Sequence, residues 1–166
     1  SSGWCVNFYQ VAEKLERLGV DLWKRPKMKK MADILLDMTT AGKFSPAIGD
    51  AGSINGAGRL WSEYMMRQAW THYRDPIYAK ALKQLGGGRE TLWEDSLEEE
   101  IDAVVKKEGD QIVLPSRNLG GYGLAVLESG EPPNQRAVSM YYGSAAGGHG
   151  HRDRLSTEAW FYGKPV

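Results

Sequence analysis

The chain has 166 residues, enough to bury a real core, and its 42% hydrophobic and 25% charged composition is that of a globular protein, not a disordered one. Lys plus Arg and Asp plus Glu each number 21, so the net charge is zero and a global basic field for nucleic acid is not expected, which leaves only a local basic cleft open. No run of about 18 apolar residues is present, which argues against a membrane-spanning helix. Phe8, Val11, Ala12, Leu15 and Leu18 recur at helical spacing, with Gly19 as a stop. A second helix follows Pro26, with Met28, Met31, Ala32, Leu35 and Met38 as its core stripe. Ala41 to Gly58 is a long irregular stretch rich in Gly, Ala and Ser, of the kind that often carries function.

Another helix is expected on Leu60, Trp61, Tyr64, Met65, Ala69 and His72, the histidine being read as structural. Asp75-Pro76 starts the next helix, which Gly86-Gly87-Gly88 ends. Thr91 and Glu94 have capping-box spacing ahead of an acidic segment that reaches Val105. Near Gly109 the pattern changes to short apolar runs, Tyr122–Leu127, Ala137–Tyr142 and Leu155–Tyr162, separated by Gly, Pro and Asn. Helices first and strands afterwards predict an α+β protein in two units, residues 1–110 and 111–166. The single cysteine, Cys5, allows no intrachain disulfide and reads as a small buried hydrophobe. The chain starts Ser1-Ser2-Gly3 without methionine and ends on Lys164-Pro165-Val166 inside an apparent strand, so it reads as a fragment of a longer protein.

The densest polar constellation is Gly147-Gly148-His149-Gly150-His151-Arg152-Asp153-Arg154-Leu155-Ser156. In an extended chain His149, His151 and Asp153 share one face, a set suited to metal ligation or acid–base work. The glycines among them would let a ligand approach the backbone. The H-x-H-x-D pattern alone resembles the metallo-β-lactamase superfamily, a zinc hydrolase fold. That superfamily expects a histidine after the aspartate, where this chain has Arg154, and a helical first half does not suit it.

A broader resemblance runs through most of the chain. Met140-Tyr141-Tyr142-Gly143, the histidine segment and Phe161-Tyr162-Gly163-Lys164-Pro165 resemble the heparinase II/III-like polysaccharide lyases. Gly120–Leu127 resembles the family's first sandwich strand, Pro46–Asp50 its proline–glycine–aspartate loop, and Val11–Leu15 through Gly19–Trp23 a helix of its toroid. The resemblance implies the end of an α/α toroid followed by the first strands of an antiparallel β-sandwich, with the active cleft between them. The implied reaction is β-elimination on a uronic-acid-containing polysaccharide such as alginate or a glycosaminoglycan. An Asn or His neutralises the substrate carboxylate, and a tyrosine removes the C5 proton and returns one to the leaving oxygen. The tyrosine must be favoured as phenolate by nearby positive charge.

On that resemblance His149 matches the sandwich histidine of the site, and Tyr142 the tyrosine–glycine pair. The family's catalytic tyrosine maps at or just before Ser1, which leaves Tyr9 as the nearest tyrosine within the chain. The Asn or His neutraliser maps further upstream. Asp50 is a candidate for positioning His149 or the substrate, Arg152 and Arg154 for attracting the anionic glycan, and Asp153 for orienting a histidine. No cofactor is required, although His151 matches a position that binds a structural zinc in some members. The resemblance implies a periplasmic or secreted protein whose partner is an acidic polysaccharide. A non-catalytic glycan-binding or structural relative of the same fold is the alternative.

Overall fold

The computed structural model describes residues 2–48, 60–143, 155–162 and 164–166. The chain is an α+β protein that divides into two compact units: residues 1–35 with 61–112, and residues 36–60 with 113–166. The described part of the stretch after residue 35 thus belongs with the strands, not with the helices on either side of it in sequence.

The first unit is helical: α1 (Ser2–Glu16), α2 (Pro26–Asp37, cut by the division after Leu35), α3 (Glu63–Tyr73), α4 (Pro76–Leu85) and α5 (Glu98–Glu108). Local signals set most of the ends. Pro26 opens α2, and Gly19, at φ +81°, allows the turn that closes the end of α1. Ser62 caps α3 by accepting from the Met65 N–H. Asp75 caps α4 by accepting from the Ile77 N–H, with Pro76 at the first helical position. Three glutamates in its first turn and Lys106 and Lys107 in its last complement the dipole of α5. Thr91 and Glu94 do not cap that helix: the Thr91 N–H donates to the Glu94 carbonyl, closing a separate turn. The helix begins later, where Ser96 accepts from the Glu98 N–H.

The core of this unit forms around α3, on which every residue from Met65 to Trp70 is buried. Arg67 is one of them, and it is tied to the carbonyls of Asp95 and Arg89 and to the Glu94 carboxylate. Such ties meet the requirement that a buried charge be paired. Lys29 joins α2 to the start of α4 by bridging Asp33 at 3.0 Å and Asp75 at 3.1 Å.

On α1 the buried face is Tyr9 and Ala12, not the full expected stripe. Trp4, Phe8 and Val11 on α1 and Leu18 just beyond its end are exposed, because α1 carries apolar residues on more than one side and periodicity alone does not choose between them. On α2, Met28, Ala32 and Leu35 are buried as expected and Leu36 in addition, while Met31, and Met38 just past the end of the helix, are half-buried. Cys5 is half-buried, not a core residue.

The second unit is an antiparallel meander in sequence order: β1 (Arg117–Leu119), β2 (Leu124–Ser129), β3 (Arg136–Tyr141), β4 (Ser156–Phe161) and β5 (Lys164–Pro165). Register pairs Leu127 with Val138, Val138 with Ala159, and Tyr141 with Ser156. Strand alternation sends Leu124, Val126, Ala137, Ser139 and Trp160 to one face, where all are buried. Phe44 stacks on Trp160 there, with ring centroids 6.1 Å apart, and Ala41 and Ala137 complete the cluster. The opposite face presents Leu127, Val138, Met140 and Phe161 to solvent. Among the described residues no helix is long and apolar enough to cross a membrane.

Candidate functional site

Of the residues singled out by sequence, Asp50, His149, His151, Arg152, Asp153 and Arg154 lie outside the described residues. What the structure does show is how the chain on either side of them is held.

The histidine-bearing segment joins β3 to β4. Its two ends are fixed beside each other by the pairing of Tyr141 with Ser156 and by the Leu155 N–H, which donates to the Tyr141 carbonyl at 2.8 Å. At the same end of the sheet the Gly120–Gly123 turn crosses the Tyr142–Gly143 backbone. The Tyr142 N–H donates to the Gly123 carbonyl at 2.7 Å. A Cβ on Gly123 would stand 2.3 Å from the Gly143 Cα, and a Cβ on Gly143 would stand 2.6 Å from the Tyr122 carbonyl oxygen. Two backbones this close require glycine on both strands of the crossing. Tyr142 is thereby held at the sheet end with its ring accessible, and its hydroxyl donates to the Asn118 side-chain carbonyl.

The segment leading to Asp50 is anchored on the buried sheet face by two carboxylates. Glu128 accepts the Ala41 N–H at 2.9 Å, and Glu158 accepts the Ala47 N–H at 2.7 Å. Burial pushes the Glu158 carboxyl above its ordinary pKa, and the Ala47 N–H partly offsets this by favouring the anion. Glu128 is 2% exposed and pairs with Arg117, itself 10% exposed, at 3.2 Å. Arg117 also donates to the carbonyls of Asp37, Thr39 and Pro115. The second unit therefore holds the chain before Asp50 and the chain ends around His149 on one sheet. Sequence reasoning missed Arg117, Glu128 and Glu158. The available signal was a charged residue on the inward face of an otherwise apolar strand, Glu128 sharing its face with Leu124 and Val126.

Tyr9 is placed differently from the expectation. It is fully buried in the first unit, its hydroxyl donates to the Met28 carbonyl at 2.9 Å, and its ring meets Trp23 edge-on at 4.9 Å. Burial, with the Tyr73 phenol and the Asp33 carboxylate nearby, pushes its pKa far up, the opposite of what a phenolate base needs. Tyr9 is a packing residue that ties α1 to α2. Tyr9→Phe is expected to cost about 1 kcal/mol of stability, the net worth of one hydrogen bond, read as a small fall in the urea midpoint.

Among the described residues no three metal-ligating side chains converge. No protein-family model matches the chain, and no curated protein matches it significantly.

Proposed function

We propose that this chain is part of a polysaccharide lyase that cleaves a uronic-acid-containing polysaccharide, of the alginate or glycosaminoglycan class, by β-elimination. The observation that carries the reading is the segment Gly147–Ser156, set between the tyrosine–glycine pair at Tyr142-Gly143 and the Phe161-Tyr162-Gly163 turn, in the order that the heparinase II/III-like lyases use. Several features support it. Helices precede an antiparallel meander, as the end of an α/α toroid followed by the start of a β-sandwich would. The sheet carries apolar residues on both faces, and the open face with Leu127, Val138, Met140 and Phe161 is what a second sheet of a sandwich covers. The glycine crossing and the Ala47–Glu158 contact fix the chain next to the two segments that bear the candidate site.

In this reading His149 faces the substrate, Asp50, Arg152 and Arg154 attract or position the anionic sugar, and His151 is the candidate ligand for a structural zinc. The chemistry needs the C5 proton removed beside a neutralised carboxylate while the C4 oxygen gains a proton. In this reading Tyr9, buried and donating to the Met28 carbonyl, is assigned to packing and the base to another tyrosine. Tyr142, accessible at the sheet end, remains for sugar contact or proton transfer. A periplasmic or secreted location follows from the same reading.

The test is absorbance of the unsaturated uronate product, followed across a panel of uronate polysaccharides with the intact protein that carries this chain. His149→Ala is expected to abolish product formation while leaving the thermal midpoint nearly unchanged, and Tyr9→Phe to retain turnover. Glycan binding without product on any substrate would instead establish a non-catalytic relative.

A further inference from the structure

A cavity of about 410 Å³ in the helical unit takes no part in the chemistry above. Its lining includes Glu16, Asp21, Trp23, Arg25, Lys29, His72 and Tyr73, from α1, the connection to α2, α2 itself and the end of α3. One wall is aromatic. The Trp23 ring stacks on His72 with centroids 4.0 Å apart and planes 12° apart, and Tyr73 meets Trp23 edge-on. This wall is rigid, since the Trp23 indole N–H donates to Glu16 at 3.0 Å and the Tyr73 hydroxyl donates to the Trp23 carbonyl at 3.2 Å. Burial holds the His72 imidazole below its ordinary pKa, so it is a neutral polar edge at pH 7.

The rim is charged, and its charges are unequally satisfied. Lys24 pairs with Asp21 at 3.0 Å, and Lys29 with Asp33 and Asp75. Among the described residues no carboxylate pairs with Arg25, an exposed residue that lines the cavity. The backbone beneath it is fixed: the Arg25 N–H donates to the Leu22 carbonyl, and the Arg25 carbonyl accepts from the Met28 N–H, both at 2.9 Å. An unpaired planar fork on a fixed backbone suits a carboxylate. A small pocket that pairs it with aromatic edges and a fixed carboxylate acceptor suits a polyhydroxylated ring bearing one acid group.

We propose that this cavity binds a single uronate ring, with Arg25 clamping its carboxylate and Glu16 accepting from its ring hydroxyls. The choice of ligand rests on the acidic-glycan reading above; the cavity itself does not. The probe is D-glucuronate, titrated into the 166-residue chain and followed by the NMR signal of the Trp23 indole N–H, with glucose and inorganic phosphate as separate arms. Glucuronate is expected to shift that signal saturably and glucose not to. Arg25→Gln, an exposed change, is expected to weaken glucuronate binding about tenfold, the loss of a charge-assisted hydrogen bond. No shift, a shift that survives Arg25→Gln, or an equal response to phosphate would each overturn the proposal. Arg25-dependent glucuronate binding without any lyase product would leave this site standing and remove the lyase reading. Lyase product without the Arg25-dependent shift would do the reverse.

Discussion

Arg117→Ala is expected to destabilise the strand-bearing unit by about 3–5 kcal/mol, the range for breaking a buried ion pair from one side. The guanidinium pairs with Glu128 and donates to the carbonyls of Asp37 and Thr39, at positions 80 and 78 residues away in sequence. Truncation leaves a carboxylate that is 2% exposed with, among the described residues, the Ala41 N–H and the Gln135 side chain as its remaining donors, and it strips both carbonyls of this partner. Most of the loss comes from the stranded charge, so the double variant Arg117→Ala/Glu128→Ala is expected to be less destabilised than the sum of its singles. Urea unfolding followed by circular dichroism measures all three. A loss below about 1 kcal/mol for Arg117→Ala would place the pair with solvent-screened surface bridges.

Gly123→Ala is expected to cost about 3 kcal/mol or more, since it combines a strained backbone with a steric conflict that side-chain rotation does not relieve. Gly123 sits at φ +82°, and its added methyl would meet the Gly143 Cα and N at 2.3 and 2.4 Å, both backbone atoms. The crossing must open, and the Tyr142 N–H bond to the Gly123 carbonyl goes with it. Hydrogen exchange at the Tyr142 amide reads this directly, with a large loss of protection expected. Gly121→Ala is the control. Nothing lies within 4 Å of its added Cβ, and a change of no more than about 0.5 kcal/mol is expected, as for an unencumbered surface site. In the proposed lyase, Gly123→Ala also shifts Tyr142 and the start of the histidine segment, so turnover is expected to fall with stability.

The elements that were legible in sequence are those whose determinants are local. Pro26, Asp75-Pro76 and Gly19 mark helix ends through the backbone conformation or the cap they supply within a few residues. Alternation marks β2 and β3, since each buries every second residue through most of its length. Helix-then-strand order, and with it the α+β class, follows from those signals. The site was legible only as a residue pattern around His149, because no local rule says what supports it.

Tertiary structure decided everything that depends on partners distant in the chain. Trp4, Phe8, Val11 and Leu18 look as apolar as any core stripe, yet α1 packs through Tyr9 and Ala12, a choice made by Trp23 and Met28 on the other side of the contact. Tyr9, chemically a fit acid–base residue, becomes a packing group because burial removes the stabilisation that a phenolate needs. The Gly- and Ala-rich stretch after α2 carries no pattern that assigns it to either unit. Its described part joins the strands because the Ala41 and Ala47 N–H groups find Glu128 and Glu158, 87 and 111 residues later. Sequence by itself determined the order and type of the elements, since helix caps and strand alternation act over a few residues. The choice of packing face, the anchoring of the loop before Asp50 and the role of each tyrosine waited for the fold, since burial and hydrogen-bond partners exist only once distant segments meet.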